Sequence, residues 1–385
     1  MKLNWPLIAL AVGTFGIGTT EFAPMGLLPV IAKGVGVSIP SAGMLITAYA
    51  VGVMAGAPLV TLCLGRLRRK MALVLLMGIF TLGNLASAAA PGYDTLMAAR
   101  LFTSLAHGAF FGLGAVAAAS VVSKEKQARA VATMIMGLTI ANIGGVPAAT
   151  WVGQMVGWRT AFVLTAGLGV LAMVALLVAM PRGEPGRMPD IRHEFHVMRR
   201  PVVQRALATT SLGAGALFTL YTYIAPVLAH LSAASPGFIT AMLVLTGIGF
   251  TIGNVIGGRF ADHSIDGSLI ASFGAMTVIM FAFPFVAVTH VGAAIMLLLW
   301  GTAFFAATPA LQMRVMQAAH EAPGMASSVN IGAFNLGNAL GAAAGGAVLW
   351  LGLGYGSVPI MGAVFSAGGL LVVLLNRLLA RNAHG

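Results

Sequence analysis

The stretch RGEPGRMPDIRHEFH, residues 182–196, is the longest hydrophilic interruption in an otherwise apolar chain of 385 residues. It lies near the midpoint, with six long apolar stretches before it and six after it. It is too short to form an independent domain, so we interpret it as a linker. The sequence therefore predicts a first six-helix half at 1–180, a cytoplasmic linker at 181–201 and a second six-helix half at 202–385.

The composition indicates that lipid is the solvent of this chain. Hydrophobic residues make up 59% of it and charged residues only 8%, whereas soluble domains carry about 25% charged residues. The 50 glycines suit helices that approach each other closely inside a membrane. A single cysteine, Cys63, excludes an internal disulfide framework.

Twelve apolar stretches are each long enough, at about 1.5 Å per residue, to cross a hydrocarbon core of about 30 Å. We expect an all-α integral membrane protein with twelve transmembrane helices. The predicted spans are 6–31, 41–64, 71–90, 95–121, 130–154, 160–180, 203–230, 237–260, 268–289, 291–316, 326–351 and 356–376.

The placement of basic residues supports this number of spans. With both termini in the cytoplasm, eighteen of the 21 Lys and Arg residues fall on the cytoplasmic side, and only Lys33, Arg100 and Arg159 do not. This distribution follows the positive-inside rule. The net charge of +12 is therefore a consequence of topology, and we expect membrane lipid rather than nucleic acid as its partner.

The two halves show a weak internal repeat. The segment Glu21 to Pro24 in the first span aligns with Tyr223 to Pro226 in the seventh, and His107 to Phe111 in the fourth aligns with Gly301 to Phe305 in the tenth. Two parallel six-helix repeats around a central cavity form one of the architectures used for alternating access.

Several motifs in the same order resemble the major facilitator superfamily. GTTEFAPMGLLPVIA (18–32) and ARLFTSLAHGAFFG (99–112) look like its drug and sugar-efflux permease branch. Gly144, Gly145 and Pro147 are similar to the glycine and proline motif of its antiporters, and Trp158-Arg159 follows them. The resemblance covers almost the whole chain and implies a proton-coupled antiporter of the twelve-helix type.

The family also has a loop motif that controls conformational change. Gly258, Arg259 and Asp262 resemble this motif in the second half. In the first half the basic residues Arg66 and Arg69 remain, but Gly65 stands where the family has an acid. The resemblance therefore assigns a conformational role to these residues.

Glu21 is the single acid that lies well inside a predicted span. An ionised carboxylate there costs several kcal/mol, about 3 on insertion scales. It should therefore face a cavity or a cationic partner, or carry a proton. A role in proton coupling or substrate binding follows, while a hydrogen-bonded packing role is the alternative.

Arg100 and His107 in the fourth span are the expected partners of Glu21. They are seven residues apart and so share one helix face. In the resembled family a fourth-helix arginine is implicated in proton relay, and Arg100 occupies its position. Arg100 could instead be an interfacial residue, and His107 could either titrate or act as a neutral hydrogen-bonding group.

Polar and aromatic groups in other spans suggest a mostly apolar substrate cavity with few polar anchors. Each of them alone is compatible with simple packing. The candidates are Tyr221, Tyr223, Asn142, Phe110, Phe111, Phe304, Phe305, Asn335 and Asn338.

We therefore predict a monomeric secondary transporter in the inner (plasma) membrane that exports small lipophilic or cationic molecules in exchange for protons. A proton-coupled exporter of sugars or sugar-like metabolites and an uncoupled facilitator are the alternatives. No catalytic, cofactor or nucleotide-binding motif appears, so we expect neither an enzyme nor a cofactor. No second His, Cys or acid lies at ligand spacing, so we expect no metal.

Overall fold

The computed structural model describes residues 4–64, 67–123, 126–182, 196–321 and 323–382. These residues are almost entirely helical. The predicted Arg66 and most of the predicted linker, residues 183–195, lie outside the described residues.

The helices of the first half follow the predicted spans to within a few residues. The first and fifth spans are each interrupted. The helices are α1 (Trp5–Gly26), α2 (Leu28–Val35), α3 (Ile39–Leu64), α4 (Arg69–Ala89), α5 (Tyr93–Ser120), α6 (Gln127–Ile140), α7 (Val146–Met155) and α8 (Trp158–Ala179), with a π-helical turn at Ala141–Gly145 between α6 and α7.

The second half has the same order of elements. Its helices are α9 (Pro201–Thr222), α10 (Ile224–Leu231), α11 (Pro236–His263), α12 (Ile265–Val286), α13 (His290–Ala318), α14 (Pro323–Trp350) and α15 (Ser357–Asn382).

The number of membrane spans agrees with the sequence prediction. Among the residues that the structure describes, ten helices are long and apolar enough to span a membrane, and the pair α9 and α10, bent by 55°, provides an eleventh. The twelfth span is α14, which has 28 residues. The fold is therefore all-α with twelve transmembrane spans.

The chain forms two compact units. Unit 1 contains residues 1–38 and 48–189, and unit 2 contains residues 39–47 and 190–385. In unit 1, α1 packs on α6 and α8, and α4 packs on α5 and α8. In unit 2, α9 packs on α14 and α15, and α12 packs on α13 and α15. The same pattern of helix contacts thus occurs twice, which confirms the internal repeat.

The structure corrects the register of that repeat. Helices α1 and α9 each have 22 residues, and each is followed by a one-residue break and an eight-residue helix. The break residues, Leu27 and Tyr223, have nearly the same backbone angles. Leu27 therefore corresponds to Tyr223, and Glu21 corresponds to Leu217. The sequence alignment of Glu21 with Tyr223 was wrong by six positions because Pro24 and Pro226 do not occupy equivalent positions.

Glycines set the closest helix contacts in unit 2. Gly249, Gly253 and Gly257 of α11 face backbone atoms of Leu298, Thr302 and Ala306 of α13. This spacing of four residues brings the two backbones together without intervening side chains. In unit 1, Gly52 and Gly56 of α3 face the side chains of Ser104 and Leu105 of α5.

These contacts also give the correspondence between α5 and α13. Leu101 and Leu105 of α5 occupy the places of Leu298 and Thr302 of α13. Arg100 therefore corresponds to Leu297, and His107 corresponds to Phe304 rather than to Gly301. The sequence alignment of this pair was wrong by three positions.

The C-terminal end of the predicted linker packs against unit 2. Val197 and Met198 are buried in an apolar cluster with Val203, Leu207 and Val315. Arg200 donates two hydrogen bonds to Glu321, of 2.9 and 2.8 Å. These bonds and the negative charge of Glu321 raise the pKa of Arg200 above its ordinary value.

The glycine contacts predict that replacing glycine by alanine lowers the stability of the protein at one position of α11 but not at another. In Gly253→Ala the new methyl group would overlap the carbonyl oxygen of Thr302, so we expect a loss of about 1–3 kcal/mol in the free energy of unfolding. In Gly258→Ala the methyl group meets no atom within 4 Å, and we expect no loss because Ala favours a helix. Thermal unfolding of the purified variants measures the difference, and equal melting temperatures would refute this packing account.

Candidate functional site

The three predicted coupling residues come together in unit 1. Glu21 of α1 is 4% exposed, and Arg100 and His107 of α5 are 2% and 6% exposed. Tyr49 of α3 completes the group and is also buried. We refer to these four residues as the ionisable cluster. The side chain of Arg100 therefore lies among the helices rather than on the surface.

His107 bridges Glu21 and Tyr49. Its Nε2 lies 3.8 Å from Oε2 of Glu21. Its Nδ1 lies 3.3 Å from the hydroxyl of Tyr49, so one of these two groups donates to the other. The ring of Phe111 covers His107, with centroids 5.3 Å apart. A proton on either ring nitrogen would therefore have a partner within the cluster.

Arg100 is held by two aromatic rings and one hydroxyl. Its guanidinium carbon lies 4.2 Å from the ring centre of Tyr49 and 5.7 Å from that of Phe162. Its Nη1 donates to Oγ1 of Thr20, over 3.3 Å. Thr20 in turn donates to Oδ1 of Asn84, over 2.5 Å. These contacts fix the plane of the guanidinium group.

The second amino group of Arg100 is unused. In the part of the chain that the structure describes, its Nη2 is buried and has no hydrogen-bond partner. Arg100 interacts electrostatically with Glu21, but no ion pair within 4 Å joins them among the described residues. A buried donor without an acceptor costs about 1–3 kcal/mol. The arrangement therefore leaves a cationic donor free near a buried carboxyl group.

The sequence of α1 explains how the helix delivers Glu21 to this place. Gly13 and Gly18 let α1 approach Phe110 and Leu138 closely. Pro24 has no N–H to donate to the carbonyl of Thr20, four residues earlier, so the helix is weakened beside Glu21. A cavity of about 10 Å³, lined in part by Thr20, Phe162 and Thr165, lies next to this point and has room for about one water molecule.

The predicted cavity residues of unit 1 separate into different environments. Phe111 contacts the ionisable cluster, whereas Phe110 belongs to the hydrophobic core. Asn142 lies in the π-helical turn, where its Nδ2 donates to the carbonyl of Leu138 over 3.0 Å. Its Oδ1 is buried and has no partner among the described residues. The side chains of Phe110 and Phe111 therefore face different surroundings, although the two residues are neighbours in the sequence.

Most predicted cavity residues of unit 2 lie in or beside an aromatic group. Tyr221 contacts Trp300 and Phe250, with centroid distances of 6.0 and 5.6 Å. Phe304 contacts Phe305 at 5.3 Å. Tyr223 lies apart, at the helix break, and donates to the carbonyl of Ala342 over 2.9 Å. Asn335 donates to the carbonyl of Ile331 over 3.0 Å, and Asn338 is fully buried.

The predicted conformational residues occupy distinctive backbone positions. Gly145 packs on Thr19 and Phe15 of α1, while Gly144 is open. Pro147 follows the π-helical turn and cannot donate to the carbonyl of Ile143, which accounts for the widened turn.

The eighth span was predicted to end at residue 260, which would leave Asp262 of the second-half motif in the following loop. The structure extends α11 to His263 and so places Gly258, Arg259 and Asp262 in its last two turns. Arg69 begins α4.

Sequence analysis missed four residues that support the ionisable cluster. Tyr49, Thr20, Asn84 and Phe162 lie on four different helices, and none of them carries a charge that would be conspicuous inside an apolar span. Their role depends on which helices adjoin, and a single sequence does not reveal that. An unusual Tyr or Asn inside an apolar span was the only available signal.

The hydroxyl of Thr20 should contribute to stability more than an equally buried hydroxyl elsewhere. In Thr20→Val, Arg100 loses an acceptor and Asn84 loses a donor, so we expect a loss of about 1–3 kcal/mol. In the control Thr103→Val the lost bond joins the hydroxyl to its own helix at Ala99, and we expect a smaller loss. Chemical or thermal unfolding of both variants compares them, and equal losses would contradict the network.

Comparisons with known proteins agree with this architecture. The family model described as Major Facilitator Superfamily matches residues 10–345. The inner membrane transport protein YdhP of Escherichia coli K12 is 63% identical over 98% of this chain and 97% of its own length. A chloramphenicol resistance protein of Streptomyces lividans is 31% identical over 96% of this chain and 94% of its own. The crystal structure of a bacterial homologue of the lysosomal transporter Spinster covers 96% of this chain and 94% of its own, with a TM-score of 0.71 at 15% identity. The chain is therefore a multi-pass membrane transporter, and it belongs to the major facilitator superfamily.

Proposed function

We propose that this transporter exports small lipophilic molecules, neutral or cationic, in exchange for protons that bind at Glu21. The observation that carries the proposal is a buried carboxyl group 3.8 Å from His107, which belongs to the same cluster as Arg100. Nη2 of Arg100 has no hydrogen-bond partner among the residues that the structure describes. In this proposal the protein is a monomer in the inner membrane with both termini in the cytoplasm. Its partners are protons, its substrate and membrane lipid.

In this proposal the cluster offers Glu21 a different arrangement in each protonation state. When Glu21 carries a proton, it is neutral, and Arg100 is satisfied by Thr20 and the face of Tyr49. When Glu21 loses the proton, its carboxylate needs a cation, and Nη2 of Arg100 is the available donor. Glu21 lies on α1 and Arg100 on α5, so the change in protonation pulls two helices together. Such a link between proton binding and helix position is what coupled transport requires.

Comparison of the two halves argues against a purely structural role. The positions of unit 2 that correspond to Glu21, Arg100 and His107 hold Leu217, Leu297 and Phe304, and all three are buried. The same helix packing is therefore stable with apolar residues at these places. Burying charged groups in unit 1 has a cost that packing alone does not justify.

His107 has two roles that the geometry supports equally. As a titrating group it would pass a proton between Glu21 and Tyr49, because its two nitrogens face both residues. As a neutral group it would only orient the carboxyl of Glu21.

The substrate class rests on the apolar helices and on relatives. One relative bears the name of a chloramphenicol resistance protein, which supports export of drug-like molecules. A proton-coupled sugar exporter would use the same ionisable cluster, and a panel of substrates distinguishes it. An uncoupled facilitator would transport substrate without regard to a pH gradient.

The role of Glu21 is tested by Glu21→Gln in proteoliposomes. We expect a loss of at least about tenfold in transport driven by an imposed pH gradient, because the amide cannot release a proton. Exchange of labelled for unlabelled substrate without a gradient should continue, since the amide resembles the protonated carboxyl.

The matched control for this test is Asp94→Asn, at an exposed acid in the first turn of α5. It should leave gradient-driven transport within about twofold of the unsubstituted protein, since an exposed carboxylate is already solvated. Unchanged gradient-driven transport by Glu21→Gln would refute the proposed coupling site. If the rate of transport by the unsubstituted protein does not depend on the pH gradient, the uncoupled facilitator is favoured.

A further inference from the structure

Unit 2 has an open groove on its surface, between α11 and α12. Both helices pack on α13, and most side chains in the seam between them are small. The groove has a volume of about 180 Å³. It is lined mainly by Ala303 and Ala306 of α13, Ile256 and Phe260 of α11, and Ala271 and Ala275 of α12.

The groove is short and begins near the end of the bundle where α11 joins α12. Phe260 lies three residues before the end of α11, and Ser268, which also lines the groove, lies three residues after the start of α12. Ser268 and Ala275 are seven residues apart, so the groove runs about 10 Å along α12. Since the predicted span of α11 ends at residue 260, the groove extends from the membrane boundary part of the way through one leaflet.

The walls of the groove are apolar and open to the surroundings. Ile256 and Phe260 are 40% and 62% exposed, and exposed apolar side chains of a membrane-spanning helix meet lipid tails. The hydroxyl of Thr302, which also lines the groove, donates to the carbonyl of Leu298 in its own helix over 2.7 Å. Its proton is therefore already used, and a hydrocarbon chain fits these walls.

A cation lies beside the groove near the membrane boundary. Arg259 is exposed and follows Ile256 by three residues, so the two are neighbours on the surface of α11. Among the described residues, no ion pair within 4 Å involves Arg259. Asp262 follows Phe260 by two residues and so lies on the opposite side of the helix. The groove side of α11 therefore carries a positive charge.

A second pair of charges at this end of unit 2 is balanced internally. Asp266, two residues before Ser268, forms an ion pair with Arg314 of α13. These two charges cancel, so they do not compensate Arg259. An arginine can lay its apolar stem along a hydrocarbon surface and hold its guanidinium group at the level of the lipid head groups.

The length and the charge of the groove together indicate its occupant. A partner helix that spans the membrane is about 30 Å long, and it would lie in a groove of about 10 Å over only a third of its length. An acyl chain is thin and apolar, and it enters the membrane from a head group at the boundary. The phosphate of that head group can accept two hydrogen bonds from a guanidinium group.

We propose that this groove binds one phospholipid, with an acyl chain along Ala271 and Ala275 and the phosphate at Arg259. In the proposed topology, with both termini in the cytoplasm, this lipid belongs to the cytoplasmic leaflet. The site differs from the general lipid around the protein because it holds one molecule and selects it by its phosphate. The proposal does not depend on proton coupling or on the transported substrate.

Native mass spectrometry tests the proposal, because it counts the lipids bound to the purified full chain after lipid has been washed away in detergent. Dioleoyl phosphatidylglycerol is titrated onto the protein. Dioleoylglycerol, which has the same chains and no phosphate, is the comparison. We expect one phosphatidylglycerol per chain to bind more tightly than further molecules do. The affinity for dioleoylglycerol should be lower by at least about fivefold, because the contact of a basic residue with the phosphate is missing.

Two variants change the site. In Ala275→Leu the larger side chain occupies the groove, and we expect the affinity for the first phosphatidylglycerol to fall by about tenfold or more, as overfilling a packed space does. In Arg259→Gln the phosphate loses its partner. We expect a loss of about fivefold for phosphatidylglycerol and no loss for dioleoylglycerol.

Matched controls make the same changes elsewhere in unit 2. Ala241→Leu enlarges an alanine of α11 that lies outside the groove, and Arg377→Gln removes a charge from α15. Neither should alter the affinity for the first lipid. All four substituted positions are exposed, so without lipid each variant should melt at the temperature of the unsubstituted protein.

Three results would overturn the proposal. One is equal affinity of Ala275→Leu and Ala241→Leu for phosphatidylglycerol, which would mean that lipid surrounds the protein without occupying the groove. Another is equal affinity of the unsubstituted protein for the two lipids, or equal losses in Arg259→Gln and Arg377→Gln, which would mean that Arg259 does not recognise the phosphate. The third is a dimer that forms without lipid and is lost in Ala275→Leu, which would assign the groove to a second copy of the chain.

Discussion

The carboxyl group of Glu21 is buried among the helices of unit 1, so its charge must be neutralised by a proton or a partner. The surrounding residues are arranged to meet that constraint. A proton, His107 and Arg100 are the three means available to it. Arg100 is held by Thr20 and Tyr49 instead of being fully paired with the acid. Among the described residues, no ion pair joins Arg100 to Glu21 that would hold the carboxylate permanently in its ionised form.

The same helix arrangement serves two different chemistries in the two halves. Unit 1 places ionisable groups on α1 and α5, and unit 2 places aromatic and neutral polar groups on the corresponding α9 and α13. Glycines lie at close helix contacts in both units. In our proposal the ionisable groups of unit 1 bind the proton.

Sequence patterns predicted the fold almost completely because hydropathy and the positions of basic residues are local signals that lipid imposes directly. They also identified Glu21, since an acid inside an apolar span is conspicuous. They failed where the outcome depends on which helices adjoin. Trp300 and Tyr49 look like ordinary aromatic residues in the sequence, and Pro24 and Pro226 suggested a repeat register that the helix breaks at Leu27 and Tyr223 correct.

The central claim is that the carboxyl group of Glu21 binds and releases a proton within its buried site. Infrared difference spectroscopy of the protein in lipid, recorded as the pH is changed, observes the carbonyl stretch of a protonated carboxyl directly. The account predicts a band that disappears as the pH rises and is missing from the spectrum of Glu21→Gln. The claim would be contradicted by a spectrum in which Glu21→Gln and the unsubstituted protein show the same bands at every pH.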